Sequence, residues 1–336
     1  GRLGRGHINV SAIKIRFEDL DNDGDREVVV ENDWLRMVLR FPERVGEAYY
    51  GRRFTWGGRL QSLVYRPTGR EFFMTAMIDP EKVAPFGLPD ELFATFPLEG
   101  DDGRLLKMGV GVFEGPDDAA ALTPLPWTWH QEKEGDETTV AFRQAAKDLD
   151  GYAFAYEKRY RFRDGSAWFA LDVVWENGSE HTYESDWDIH SFHQSGEPPH
   201  SSWFVAPKRT WVSCGKSRVR TVLKEASPIF ATLDLNAYVA DRIPWDLDGA
   251  GWWYALGPGD GDEFYLLHGR FEPARGLFWH AWRAFTPQGI SHVSVPPGET
   301  ANWGFDVTLG MGGRNFVAAG ADCGITVDRG AAGQIV

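Results

Sequence analysis

The chain has little cysteine and no long apolar run. Its 336 residues include two cysteines, Cys214 and Cys323, which are too few for a disulfide framework, although one bridge between them is compatible with the sequence. No stretch approaches the roughly 18 consecutive apolar residues of a membrane-spanning helix. The histidines lack a compact zinc-ligand spacing, and no glycine-rich phosphate loop joins a strand to a helix. We therefore expect a soluble protein, cytoplasmic or exported, that carries no nucleotide cofactor and no zinc.

Basic residues are also scarce. Lysine and arginine number 35 against 49 aspartates and glutamates, which gives a formal net charge of −14. Because nucleic acids and anionic membranes attract basic stripes or tails, this balance disfavours both as partners. An acidic sugar bound by a few local arginines is still compatible with it. The oligomeric state is left undecided.

Aromatic residues, by contrast, are plentiful. The chain has 15 Trp, 10 Tyr and 22 Phe. Tryptophan and tyrosine exceed the needs of a core alone, and their flat rings suit a surface that stacks on sugars, although large β-sandwiches also bury them.

Helical periodicity is rare, and short strand-like segments separated by turn signals dominate. Turns are indicated at Asp164-Gly165, Asn177-Gly178 and Pro297-Gly298. This pattern predicts an all-β, mostly antiparallel sandwich. We expect one domain over residues 1–336, in which residues 1–25 form an N-terminal extension and an acidic turn, and a long loop over residues 79–103. The predicted strands are 28–30, 34–39, 107–113, 138–142, 154–162, 168–175, 264–268 and 303–309.

The most informative segment is Asp186-Trp187-Asp188-Ile189-His190-Ser191-Phe192-His193. Side chains alternate between faces in an extended strand, so Asp186, Asp188, His190 and Phe192 are expected to share one face. His193 would point to the other face unless a bulge or the strand end brings it round. Carboxylates, an imidazole that titrates near neutral pH and an aromatic platform on one surface are suited to proton transfer on a sugar.

Several blocks together resemble the galactose mutarotase-like, or aldose 1-epimerase-like, superfamily, and in particular bacterial members of it. The order of the blocks along the chain is the stronger signal, since no single block is specific. They are residues 27–39 as a first hairpin, 49–56 (Tyr-Tyr-Gly-Arg-Arg-Phe-Thr-Trp), 58–71, 107–112 (Lys-Met-Gly-Val-Gly-Val), 175–192 with its His-x-Phe, and 295–309.

The resemblance implies a β-supersandwich whose sugar site lies on a concave sheet. In this family a histidine protonates the sugar ring oxygen and a carboxylate removes the anomeric hydroxyl proton. His190 matches that histidine. Where a Glu-Pro context is expected before the final strands, the chain has Thr286-Pro287-Gln288-Gly289, and the Gln288 amide does not take up a proton. We therefore expect Asp188 or Glu272 to replace the glutamate, and glucose and galactose to be poor substrates.

Other candidates are expected to bind the substrate. Arg53 and Arg59 present planar forks suited to a hydroxyl or carboxylate, and His193 is a further catalytic candidate. A purely structural role is also compatible with each of these residues, as a surface charge, a polar side chain on an exposed strand face or a packed side chain. The remaining substrate-binding candidates are Lys107, Trp129, His130, Tyr156 and Trp282.

The acidic run Asp19-x-Asp21-x-Asp23-Gly24 resembles a calcium loop. Its twelfth position is Val30, where a bidentate glutamate belongs. The run is therefore either an acidic turn before the first strand or a site for a structural Ca²⁺ held by Asp19, Asp21 and Asp23.

Three functions are compatible with these observations, each with a sugar or oligosaccharide as partner. The first is a carbohydrate-active enzyme resembling aldose 1-epimerases, with His190 and a carboxylate as acid and base. The second is a polysaccharide lyase or glycoside hydrolase on the same fold, in which His190 or Tyr156 acts beside Arg53. The third is a non-catalytic carbohydrate-binding module.

Overall fold

The computed structural model describes the residues given below. In some strands, among them Arg275–Ala281, it describes the backbone alone. The described residues are 11–20, 22, 24–41, 55, 57–73, 98–99, 104–114, 121–149, 152–189, 191, 193–194, 202–205, 212–214, 219–221, 241–243, 252–258, 261–271, 275–281, 284–312, 316–319 and 324–326.

Every regular element in these residues is a strand. In chain order, the first thirteen are β1 Lys14–Glu18, β2 Glu27–Glu31, β3 Leu35–Arg40, β4 Leu60–Tyr65, β5 Arg70–Glu71, β6 Leu98–Glu99, β7 Leu105–Lys107, β8 Gly111–Glu114, β9 Ala121–Pro124, β10 Trp127–Glu134, β11 Glu137–Leu149, β12 Tyr152–Arg163 and β13 Trp168–Asn177. The rest are β14 Tyr183–Asp188, β15 His193–Gln194, β16 Ser202–Val205, β17 Val212–Cys214, β18 Val219–Thr221, β19 Asp241–Ile243, β20 Trp252–Pro258, β21 Glu263–Gly269, β22 Arg275–Ala281, β23 Ala284–Val295, β24 Thr300–Met311, β25 Phe316–Ala319 and β26 Gly324–Thr326.

These strands form four main sheets and two hairpins, β17-β18 and β25-β26. The N-terminal sheet has the order β1-β2-β3-β4-β5, and the small sheet β6-β7-β8-β9. The large sheet has eight strands in the order β10-β11-β12-β13-β24-β21-β20-β16. The β14 sheet has the order β14-β23-β22-β19, and β15 also pairs with β23. All the described strand pairs are antiparallel.

The large sheet has one buried and one polar face. Along β12, Tyr156, Tyr160 and Phe162 are fully buried, whereas the alternating Arg159 and Arg161 reach the outer face. This period of two is what a sheet covered on one side requires. The buried face belongs to one hydrophobic cluster that takes in residues from Val28 to Leu309.

The N-terminal and β14 sheets cover the buried face of the large sheet. The Trp175 ring on β13 stacks on Tyr183 and Trp187 of β14, with centroids 5.0 and 5.4 Å apart. Near the N-terminal sheet, on the same buried face, the Tyr160 hydroxyl donates a hydrogen bond to the carbonyl of Gly58, just before β4, at 2.7 Å. An antiparallel bridge between Phe73 and His193 joins the two covering sheets. The result is two antiparallel layers around one core.

The N-terminal sheet buries an ion pair. Arg40 Nη1 lies 3.1 Å from Glu27 Oε1, and both side chains are almost fully buried. Buried charges are stable only when paired, so the two residues depend on each other.

One predicted strand is wrong. Residues 107–113 are not continuous, because β7 ends at Lys107 and β8 starts at Gly111, with a turn between them closed by a hydrogen bond from Val110 N to the Lys107 carbonyl. Gly109 has φ +78°, which glycine adopts without strain. A Cβ there would lie 2.4 Å from the Thr55 methyl carbon, so the turn needs glycine for space as well.

The predicted fold class is confirmed. The described residues contain strands and no helix, and the sheets are antiparallel. The predicted strands that begin at residues 28, 34, 138, 154, 168, 264 and 303 are all present; their ends lie within three residues of those expected, except that β11 extends seven residues beyond the predicted end at residue 142. The assignment of residues 1–336 to one domain stays a prediction.

Candidate functional site: the open face of β14

Strand β14 has one face in the core and one that is open. Tyr183, Ser185 and Trp187 are buried, whereas Glu184 is exposed and the Asp186 side chain retains 18% of its accessible surface. Tyr183 and Trp187 stack on Trp175, which fixes the rotation of the strand about its axis. The polar side chains between them are therefore fixed on the open face.

On this open face Asp186 is paired with a histidine from the neighbouring strand. Asp186 and His292 are directly opposite in the β14–β23 ladder. His292 Nδ1 lies 3.1 Å from Asp186 Oδ1, and the His292 side chain is 57% exposed. The pair is thus an imidazole with one nitrogen held by a carboxylate and its ring open to solvent.

The chain after β14 is anchored in the core by alternate residues. Ile189, Ser191 and His193 are all fully buried. They are the odd-numbered continuation of the buried face of β14. His190 and Phe192 lie outside the described residues, and the structure describes only the backbone of Asp188.

His193 lies in an aromatic part of the core. Its ring stacks on Phe73 with centroids 4.8 Å apart and meets Tyr265 edge-on at 4.6 Å. Its Nε2 is 3.1 Å from the Tyr254 hydroxyl. Burial lowers the pKa of His193 to about 3, so the imidazole is neutral at physiological pH. A sugar would reach it only if the Phe73 and Tyr254 contacts opened.

Tyr156 lies between the large and small sheets, close to other polar groups. Its buried ring meets Trp127 edge-on at 5.8 Å. Nearby, the buried Lys158 Nζ lies 3.2 Å from Thr55 Oγ1 and 5.8 Å from the centre of the Trp127 ring. Lys107 is half-buried at the end of β7. The structure therefore brings Tyr156 and Lys158 together beneath Trp127, with both side chains enclosed.

Arg59 is buried as well. Its side chain is fully enclosed, and its carbonyl accepts a hydrogen bond from Arg40 N at 2.8 Å. This residue lies just before β4, next to the buried Arg40–Glu27 pair. A direct contact between Arg59 and a sugar would therefore require the surrounding chain to move.

Trp129 and His130 point to opposite faces of β10. Trp129 packs on Phe17 and Phe41, with ring centroids 4.8 and 5.4 Å away, and so covers the seam between the large and N-terminal sheets. His130 is exposed on the outer face of the large sheet. The two residues therefore do not form one sugar-stacking edge.

His130 lines a groove of about 540 Å³ on that outer face. Charged side chains that line the groove form ion pairs: Arg161 lies 2.7 Å from Asp172 and 3.3 Å from Glu137. Among the described residues, no three His, Cys, Asp or Glu side chains are arranged to hold a metal ion. The groove lining is His130, Glu132, Glu134, Glu137, Thr139, Glu157, Arg159, Arg161 and Asp172.

Solved structures with the same architecture include a galactose mutarotase-like protein from Clostridium acetobutylicum, which is 13% identical, has a TM-score of 0.57, and is matched over 90% of this chain and 99% of its own. A galactose 1-epimerase from Lactobacillus acidophilus is 11% identical, with a TM-score of 0.56 and coverages of 90% and 100%. A galactose mutarotase-related enzyme from the same organism is 14% identical, with a TM-score of 0.55 and coverages of 84% and 97%.

The fold is that of the galactose mutarotase-like proteins. No family model and no curated protein sequence matches the chain. The structural similarity establishes the galactose mutarotase-like fold. Because the sequence identities are this low, the reaction and the sugar are left to be proposed.

Several predicted site residues fall outside the described part of this galactose mutarotase-like fold. Besides His190, these are Arg53, Glu272 and Trp282, together with Asp21 and Asp23 of the acidic run. The remaining member of that run, Asp19, accepts a hydrogen bond from Gly24 N at 3.1 Å through Oδ2, as in an acidic turn. No helix in the described residues is long and apolar enough to span a bilayer.

Sequence reasoning did not identify His292. It lies 106 residues from Asp186 along the chain, and only the register of β14 on β23 makes them neighbours. A signal was present in the sequence, since His292-Val293-Ser294-Val295 alternates polar and apolar residues like a strand with one open face.

Proposed function

We propose that this protein is a carbohydrate-active enzyme resembling aldose 1-epimerases, which acts on a sugar or oligosaccharide by acid–base chemistry from His190 and a carboxylate. The observation that carries the proposal is the open face of β14. There, Asp186 is fixed on a rigid strand that leads directly to His190, within a galactose mutarotase-like fold.

The proposed reaction is the interconversion of anomers through ring opening. His190 donates a proton to the ring oxygen as the bond between that oxygen and the anomeric carbon breaks. A base takes the proton of the anomeric hydroxyl, whose electrons form the aldehyde. Asp188 is the nearest carboxylate along the chain, and Glu272 is the alternative, because Gln288 does not take up a proton.

The first experiment is a screen of reducing sugars. We propose D-glucose, D-galactose, D-glucuronate, D-galacturonate, lactose and digalacturonate, with anomeric exchange followed by NMR and polarimetry. Because the expected glutamate is absent, glucose and galactose should exchange slowly, and a less common or oligomeric sugar should be preferred.

The second experiment removes the proposed acid. One positioned acid or base contributes about 10²–10⁴-fold in rate, so His190→Ala should lower kcat by that factor while the protein still folds. The matched control is His181→Ala, since His181 is an exposed histidine at the turn before β14.

The other functions give different results in the same screen. An unsaturated product from digalacturonate would identify a lyase, and a hydrolysed disaccharide would identify a glycosidase. Saturable binding without any product would identify a binding module. Fast glucose exchange that survives changes at both Asp188 and Glu272 would overturn the proposed use of a carboxylate.

A further inference from the structure

The Asp186–His292 pair has the arrangement of an oriented proton-transfer group. A carboxylate oxygen accepts hydrogen bonds, so His292 Nδ1 donates to Asp186 Oδ1 across their 3.1 Å separation. In a neutral imidazole this leaves the lone pair on Nε2. Because the side chain is 57% exposed, Nε2 is accessible to a ligand on the open face.

The two strands that carry the pair are firmly fixed. Trp187 on β14 and Val295 on β23 are buried in the common core, and Ser291 beside His292 is buried as well. Register pairs Asp186 with His292 directly, so the carboxylate and the imidazole lie side by side without any loop between them. A side chain on such a platform holds its orientation better than one on a loop.

The pair is also within reach of a sugar bound at His190. His190 is four positions after Asp186 along the chain, and four residues of fully extended chain span at most about 14 Å.

We propose that His292 is the base that replaces the missing family glutamate, and that Asp186 is a positioning residue that orients it. The inference rests on the proposed reaction and on His190 as its acid, and it assigns the base to His292 in place of Asp188 or Glu272. His292 Nε2 takes the anomeric hydroxyl proton, the electrons of that O–H bond form the aldehyde, and the ring C–O bond breaks toward the ring oxygen, which takes a proton from His190. On closure at the other face, His292 returns its proton to the aldehyde oxygen and the ring hydroxyl returns a proton to His190, so both residues regain their starting states.

The pair is well suited to mutation. An exposed carboxylate–imidazole contact contributes little to stability, so changes here should leave the fold intact. The variants are His292→Asn and Asp186→Asn, and the matched control is Glu184→Gln, which removes an exposed carboxylate from the same face of the same strand. Circular dichroism and melting temperature verify that each variant is folded.

Kinetics on the best sugar of the panel give the main result. His292→Asn should lower kcat about 10²–10⁴-fold and leave KM within a few-fold, because a proton-transfer group acts in the transition state. Asp186→Asn should lower kcat about 10–100-fold, as loss of an orienting partner does. In the same variant, ¹⁵N NMR should show that the fixed Nδ1–H tautomer of His292 is lost. Glu184→Gln should retain wild-type kinetics.

The outcomes separate this inference from the proposed function. If His190→Ala abolishes exchange and His292→Asn does not, the inference is wrong and the proposed function stands. A raised KM with unchanged kcat in His292→Asn would make His292 a binding residue, which also overturns the inference. If no sugar of the panel is bound or converted by the unmodified protein, the proposed function fails, and the role of His292 fails with it.

Discussion

His193 should make the protein sensitive to acid. Its imidazole is fully buried, stacks on Phe73 and contacts the Tyr254 hydroxyl. Burial lowers its pKa from 6.5 to about 3, opposed in part by a backbone hydrogen bond with Phe72. In the unfolded chain the same imidazole is solvated and protonates near its ordinary pKa. Between these two values, protons therefore bind the unfolded state preferentially.

The size of the effect follows from linkage. The stability contributed by a neutral His193 is fully present above the unfolded pKa of 6.5 and is lost as the pH falls toward 3. At 1.36 kcal/mol for each pKa unit, the loss between about pH 7 and pH 5 is about 2 kcal/mol, and the total loss at lower pH is about 5 kcal/mol. Below about pH 3 both states bind the proton and this loss stops growing.

Urea denaturation of the unmodified protein and of His193→Gln, at about pH 7 and about pH 5, measures this contribution. Glutamine retains a polar partner for the Tyr254 hydroxyl but has no proton to gain. The variant should be less stable at pH 7, yet its loss of stability on acidification should be smaller by about 2 kcal/mol. His130→Gln, which removes an exposed imidazole, is the control. Equal losses in the unmodified protein and His193→Gln would show that buried His193 does not govern the response.

Three further predictions follow from the core and the turns. Glu27→Gln should destabilise the fold by about 3–5 kcal/mol in urea denaturation because the buried Arg40 loses the carboxylate charge that faces it at 3.1 Å, and adding Arg40→Met should recover much of that loss. Gly69 has φ +74° and open surroundings, so Gly69→Ala should lower the free energy of unfolding by about 1–2 kcal/mol. Gly109→Ala should lower it further, because the new Cβ would also clash with Thr55. Equal losses in the two variants would contradict the clash. Calcium at about 1 mM should raise the melting temperature relative to chelator if residues 19–25 bind it, and an unchanged temperature would favour the acidic turn.

Fold and site differed in how far they could be predicted from the sequence. The strands were predictable because apolar and polar residues alternate along them, as in β12, where the buried Tyr160 and Phe162 alternate with the exposed Arg159 and the half-buried Arg161. The break at Gly109 was missed, since Val110 and Val112 continue the apolar pattern and the space that requires glycine is set by Thr55, more than fifty residues away. Local patterns record which face a residue takes, and they do not record what lies across from it.

The same limit applies to the candidate base. In the sequence, Gln288 stands where the resemblance implies a glutamate, so the sequence alone indicated other carboxylates near His190 or near the C-terminus, such as Asp188 and Glu272. In the folded chain, the open face of β14 instead places an imidazole beside a carboxylate, through a strand pairing that joins positions 106 residues apart. A base need not be a carboxylate, because a neutral histidine accepts a proton near physiological pH without the help that a carboxylate requires. The rate of His292→Asn measured beside that of Asp188→Asn therefore decides which residue serves as the base, and a loss confined to Asp188→Asn would return that role to the carboxylate.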